Sequence, residues 1–295
     1  MLLSAFFVAA LGATVKHLGQ NLPVLQLGFL RCLIGLLLVL PFVWVQGSGV
    51  LRTGHPWRHL LRGLLGMAAI AANFYAVTHL TLAEATAITF AKPLFVIGLA
   101  VLFLAEDVRW RRWSATAVGF LGVLVMVRPD LGVEPAMLVA LFGVACVSGV
   151  VIVLKGMPAG ERPATIQFYF GLTATAALLV PGLLVWQPPS PRDWLLIPFL
   201  GLFGFAAQYC VIRALKVGEA TAVMPFDYAR LLYATALGYL LFAELPTAST
   251  ALGAGIIVAA TLYIARREAR VAREARRKSA AARREAAELH RETLP

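Results

Sequence analysis

The stretch Leu82–Leu104 reads LAEATAITFAKPLFVIGLAVLFL. A run of ~20 mostly apolar residues is what an α-helix needs to cross a hydrocarbon core about 30 Å thick. A barrel strand needs only ~9–11. Near its start stands Glu84-Ala-Thr-Ala87, which returns as Glu219-Ala-Thr-Ala222 at an offset of 135. Further on, Leu104-Ala-Glu106 is matched by Phe242-Ala-Glu244 at an offset of 138. The run is therefore one of a pair, and the chain reads as two copies of one helical unit.

Outward from this run, residues 1–265 are nearly one succession of apolar stretches. Turn chemistry at Gly19–Pro23, Gly47–Pro56, Pro129–Pro135, Pro158–Pro163 and Pro188–Pro191 divides them. Helices are expected at 2–18, 24–45, 58–78, 82–104, 113–128, 134–154, 165–186, 193–214, 219–242 and 247–265. The fold class is an all-α membrane protein with ten transmembrane helices. The expected units are a five-helix repeat over 1–132, a second over 133–265, and a basic tail over 266–295. Met1–Val15 lacks a basic leader flank and more spans follow it, so it reads as the first helix. Its shortness leaves room for a start codon upstream.

Composition agrees. The chain is 60% hydrophobic and 14% charged, against about 25% charged in soluble domains. The net charge of +11 would suggest nucleic acid in a soluble protein. Here it reads as a topological bias, because ten of the 26 Lys and Arg residues lie in the tail. Cys32, Cys146 and Cys210 sit inside apolar runs without CxxC spacing, which points to packing rather than a disulfide or metal site.

Charge also sets orientation. Arg52, Arg58, Arg62, Arg109, Arg111, Arg112, Lys155, Arg162, Arg213 and Lys216 fall on one side of the bilayer, and Lys16, Arg128 and Arg192 on the other. Lys and Arg favour the cytoplasmic side, so both termini are expected in the cytoplasm of a bacterial inner-membrane protein. Ten spans satisfy this. Five helices per copy is odd, so the second copy must enter the membrane upside down. Inverted repeats of this kind are a device of secondary transporters, with substrate held near the midplane between the repeats.

A charge at that depth costs ~2.5–3.5 kcal/mol on insertion scales and usually faces a wet cavity or a partner. Arg31, Lys92, Asp227 and Arg230 are the candidates. Lys92 lies near the middle of its run, and Pro93 after it predicts a kink. Lys92 and Asp227 are 135 apart, so they hold equivalent places in the inverted copies. They read either as two walls of one cavity or as an ion pair that locks the helices. Asn73 corresponds to Gln208 and Phe74 to Tyr209 at the same offset. The two amides suit cavity lining and helix–helix hydrogen bonding equally. Tyr75, Tyr209 and Tyr228 offer hydroxyls and aromatic faces, or ordinary packing. Glu84 and Glu219 stand at helix starts, where a carboxylate is favourable and reads first as a cap, with a gate or proton site as the alternative. Glu106 and Glu244 stand at helix ends, against the dipole, and so should be paired, Glu106 with Arg109 or Arg111. Gly119, Gly122, Gly253 and Gly255 mark close helix packing, within the chain or across a dimer face. The tail reads as solvated, with attraction to anionic lipid as an alternative.

The residues carry a resemblance. Glu84-Ala-Thr-Ala-Ile-Thr-Phe-Ala-Lys-Pro93, Ala105-Glu106, Arg111-Arg112-Trp113, Gly119-Phe-Leu-Gly122 and Arg128-Pro129 in the first half resemble the EamA-type, ten-helix branch of the drug/metabolite transporter superfamily. So do Met224-Pro-Phe-Asp-Tyr228, Arg230 and Phe242-Ala-Glu244-Leu-Pro246 in the second. The likeness runs to Arg267. It implies the ten-helix inverted architecture and transport of a small molecule. The second-half pattern is most similar to carriers of S-adenosylmethionine or other small metabolites.

The expected function is a secondary transporter working by alternating access. Its substrate would be a small polar metabolite, such as an amino acid, a similar zwitterion or S-adenosylmethionine. The expected substrate-binding residues are Arg31, Asn73, Tyr75, Lys92, Gln208, Tyr209, Asp227, Tyr228 and Arg230. No catalytic residue, metal or cofactor is assigned. Three positive groups suit a carboxylate, and Asp227 suits an ammonium or sulfonium. The alternatives are an exporter of organic cations or a membrane-embedded lipid-modifying enzyme. The enzyme would need HExxH, an Asp-rich motif or a Ser/His/Asp set, and these motifs are lacking. The partners are the small-molecule substrate and the lipid bilayer; a carboxylate leaves a coupling proton as an option, with no residue that identifies the driving ion, and nucleic acid is not among them. The assembly is a monomer or a homodimer.

Overall fold

The computed structural model describes residues 1–47, 53–104, 110–127, 134–158, 161–217 and 229–260, with Leu262, Tyr263, Arg266 and Arg270. Among these residues the regular structure is helical. The helices are α1 (Leu2–Leu18), α2 (Val24–Gln46), α3 (Pro56–His79), α4 (Leu82–Thr89), α5 (Lys92–Leu104), α6 (Trp110–Val127), α7 (Pro135–Lys155), α8 (Pro163–Leu184), α9 (Pro191–Val217), α10 (Ala229–Phe242) and α11 (Ala248–Ala260). Prolines open α3, α7, α8 and α9. A missing N–H costs nothing in the first turn, and the fixed φ is preorganised for a helix.

Five segments are long and apolar enough to cross a membrane: Val24–Val45, Pro56–His79, Leu82–Phe103, Pro135–Leu154 and Ala164–Leu184. Leu2–Leu18, Ala229–Phe242 and Ala248–Ala260 are shorter apolar helices. Trp44, Leu102, Phe103, Leu184, Leu232 and Leu240 stand largely exposed. A soluble monomer rarely shows contiguous apolar surface on this scale.

The expected helix 82–104 is interrupted. Phe90 and Ala91 form a turn between α4 and α5. The amides of Leu94 and Phe95 both bond to the Ala91 carbonyl, at 3.0 and 3.4 Å. Pro93 cannot donate to the carbonyl four residues back, so the helix restarts just before it.

The core lies between the first-half and second-half helices. α1 packs on α9 and α10, α2 on α8 and α9, α3 on α7 and α8, and α5 on α7. Small residues permit these approaches. A Cβ at Gly122 of α6 would stand 2.9 Å from the Gly253 carbonyl oxygen of α11. One at Gly143 of α7 would meet the Ala72 Cβ of α3 at 3.0 Å. Gly122 and Gly253 thus serve packing within the chain, as one of the two readings of their spacing expects. Gln26, wholly buried on α2, donates to the Gln187 carbonyl at 2.8 Å and accepts from its amide at 3.0 Å. This fixes α2 against the end of α8.

Candidate functional site

Polar groups gather where α4 gives way to α5. Arg230, at the start of α10, donates from Nη2 to Thr89 Oγ1 at 2.6 Å. Its guanidinium lies 5.1 Å from the centre of the Phe90 ring, within cation–π range. Thr89 Oγ1 in turn donates to the Thr86 carbonyl at 2.6 Å. Ser148 of α7 shares its hydroxyl hydrogen between the carbonyls of Val144 (2.7 Å) and Lys92 (3.2 Å). The break thus gathers Thr86 and Thr89 of α4, the Lys92 backbone of α5, Ser148 of α7 and Arg230 of α10, from four elements.

Arg31 forms a second polar point, on α2. Its guanidinium faces Phe74 of α3 at 6.0 Å and runs across Gly204 of α9. A Cβ at Gly204 would stand 3.2 Å from Nη2, so a side chain there would press on the guanidinium. The Nε atoms of Arg31 and Arg230 are buried and have no hydrogen-bond partner among the described residues. Among the described residues neither arginine has a carboxylate partner. A buried donor left unmet costs about 1–3 kcal/mol, more when charged.

The other expected site residues divide. Asn73 is half-buried on α3, next in sequence to Phe74. Tyr75 stacks on His79 at 4.0 Å, toward the end of α3. Tyr209 is 53% exposed on α9. Lys92 is half-buried at the start of α5. Asp227 and Tyr228 lie outside the described residues, as does the side chain of Gln208. The pairing of Lys92 with Asp227 therefore stays with the repeat argument.

One cluster goes beyond the expectations. At the end of the bundle where α1 and α10 finish, Lys16 Nζ pairs with Glu244 Oε1 and lies 5.7 Å from the Phe242 ring. Glu244 Oε2 accepts the Leu82 amide at 2.9 Å. Glu84 exchanges hydrogen bonds with Thr81 in a capping box, both at 3.2 Å. Its other oxygen accepts from Thr250 Oγ1 at 3.0 Å. Glu84 is a cap, as its position implies, and Glu244 is paired, as its misfit with the helix dipole implies. The partner, Lys16, is distant in sequence and had no signal there. Glu106 and Arg109 lie outside the described residues.

At the opposite end, His59 and Glu161 meet at 2.6 Å, with Thr53 Oγ1 donating to the same carboxylate oxygen at 2.6 Å. His59 is 1% exposed and stacks on Tyr169 at 4.8 Å. The hydrogen bond from Thr53 first, then that from His59, holds the Glu161 carboxyl below its usual range.

The chain is similar to known proteins. The model of the EamA-like transporter family matches residues 1–128 and again 134–266. The chain is 32% identical to the S-adenosylmethionine uptake transporter of Rickettsia prowazekii, over 86% of this chain and 87% of that one. It is 31% identical to a riboflavin transporter of Brucella anthropi, over 88% and 95%. It is 29% identical to a pseudopaline exporter of Pseudomonas aeruginosa, over 90% and 94%. A solved crystal structure shares the fold at a TM-score of 0.56 and 21% identity, covering 87% of this chain and 94% of that one. Apolar helices long enough to cross a bilayer, charged side chains set within them, and a family match over both halves lead to one conclusion: the chain belongs to the EamA-like transporter family and is a multi-pass membrane transporter of small metabolites.

Proposed function

We propose that the protein is a secondary carrier for a small carboxylate-bearing zwitterion. The class includes amino acids and S-adenosylmethionine, the latter favoured by the names of the relatives from Rickettsia. Two inverted five-helix halves, 1–132 and 133–265, make ten spans with both termini in the cytoplasm, and rock about a central site. In this reading Leu82–Phe103 is one span broken at its middle. Arg31, Lys92 and Arg230 draw the carboxylate. Asp227 meets an ammonium or sulfonium, while Asn73, Gln208, Tyr75, Tyr209 and Tyr228 shape the remainder.

The observation that carries the reading is the state of Arg31 and Arg230. Each places a buried Nε inside an apolar helix with no acceptor among the described residues. A substrate carboxylate would satisfy such donors, and an organic cation would add to their charge. This weighs against the alternative of an exporter of organic cations. The family match weighs against a lipid-modifying enzyme.

The test is thermal shift and counterflow with purified protein in liposomes. Candidates are amino acids, S-adenosylmethionine, riboflavin, nucleosides and cationic drugs. Stabilisation and exchange by a carboxylate-bearing zwitterion are expected. Arg31→Met should weaken binding at least ~10-fold, the size seen when one partner of a buried charge pair is removed. Exchange of cationic drugs alone, undiminished in Arg31→Met, would overturn the assignment. Vesicles loaded on one side only read the direction of transport.

A further inference from the structure

We infer that Lys16, Glu84, Glu244 and Thr250 form the gate at the end of the bundle where α1 finishes, and that the gate is closed in this structure. The inference rests on the carrier reading above.

The bonds themselves argue for it. Glu244 lies in the second half, and its two oxygens bind the Lys16 ammonium and the Leu82 amide of the first half. Thr250 of the second half donates to Glu84 of the first at 3.0 Å. Every one of these contacts crosses from one half to the other. If the halves rock, these are bonds that must part.

Their position argues further. The first turn of α4 has amides with no partner inside the helix. Glu84 takes the Thr81 amide from within the first half, and Glu244 takes the Leu82 amide from across the boundary. The start of α4 is therefore held by a residue that follows α10. The far end of α4 is held by α10 again, through Arg230 and Thr89 at 2.6 Å. Separation of α10 from α4 would uncover the polar layer at the break, and the segment after α10 carries Glu244, which is bound to Lys16 of α1 and to the Leu82 amide at the start of α4.

The pair is built to be shut. The side chains of Lys16 and Glu244 are only 12% and 16% exposed. Phe242 covers the ammonium. A Cβ at Gly238 would stand 3.1 Å from Glu244 Oε2, so glycine there leaves the carboxylate its place. The left-handed turn at Ala243, φ 55°, brings the chain back so that Glu244 faces α1 and α4. At the opposite end, the His59–Glu161 contact joins α3 to the α7–α8 connection and touches neither α4 nor α10.

The experiment measures access, not transport. Full-length protein lacking its native thiols (Cys32→Ser, Cys146→Ser, Cys210→Ser) carries Thr86→Cys, one turn inside the gate. A membrane-impermeant methanethiosulfonate is applied from the side of the α1 carboxyl end. Glu244→Gln and Lys16→Met should each speed modification about 10-fold or more, as expected when a two-state equilibrium loses a bond made in one state only. The exchanged pair Lys16→Glu with Glu244→Lys should restore slow modification. Unchanged rates in both single variants, with monodisperse and thermally normal protein, would overturn the gate. In that event counterflow by the unaltered protein would still stand, and the carrier reading with it. Faster labelling in a protein that exchanges no candidate substrate would instead keep the gate and remove the carrier assignment.

Discussion

The same side chain meets opposite fates at the two ends of a helix. Glu84 sits in the first turn of α4, where the dipole favours a negative charge, and it caps. Glu244 follows the last turn of α10, where the dipole opposes it, and it needs a cation. Local spacing shows that need but cannot name Lys16, because the contact spans most of the chain. Glu161 is a third case, outside the membrane-spanning helices. The Thr53 hydroxyl and His59 stabilise its ionised form and lower its pKa. A carboxylate with a lowered native pKa adds stability that is complete above the unfolded value of about 4.3. That stability is lost as pH falls through the lowered native value. Thermal unfolding in detergent should therefore show an acid-side decline that Glu161→Gln flattens. An identical pH profile in the variant would mean that the carboxylate contributes nothing to the fold. Arg31, Lys92 and Arg230 were legible in the sequence because charge is scarce within apolar runs. Thr89, Ser148 and Gly204 were not, since small polar residues and glycines are common in membrane helices.

At the level of elements, apolar run length and turn chemistry located the helices to within a few residues where the structure describes them. The break between α4 and α5 was foreshadowed by Pro93, though it falls at Phe90 and Ala91. Helix contacts were less legible. Gly119, Gly122, Gly253 and Gly255 all read as close-packing positions, yet spacing gives a small face without naming its neighbour. The structure separates them. A Cβ at Gly122 meets the backbone oxygen of Gly253 and the side chains of Ile256 and Ile257, all at 2.9 Å, whereas one at Gly255 meets nothing within 4 Å. Backbone cannot swing aside as a side chain can. Gly122→Ala should therefore destabilise by about 1–3 kcal/mol through overpacking. Gly255→Ala should be neutral or slightly stabilising, since alanine favours the helix by ~1 kcal/mol. Melting temperatures of the two variants in one detergent decide the matter, and equal shifts would refute the α6–α11 contact.

For the whole molecule, the repeat matters more than any single helix. Two copies in the same orientation and two copies in opposite orientation predict different faces for equivalent loops. Gly54, before α3, has its equivalent near Pro188 and Pro189, before α9, at the repeat offset of 135. Gly54 and Pro188 are both exposed. Lys and Arg crowd the connection that holds Arg52 and Arg58, while the later one holds only Arg192. That imbalance predicts the first in the cytoplasm and the second outside. In a background without native thiols, Pro188→Cys should react with an impermeant maleimide on intact cells. Gly54→Cys should react only after permeabilisation, as should a cysteine added after Pro295. Reaction of Gly54→Cys and Pro188→Cys from the same side would make the copies parallel. A central site shared by inverted halves would then lose its geometric basis, because Lys92 and Asp227 would no longer be related by an axis lying in the membrane plane.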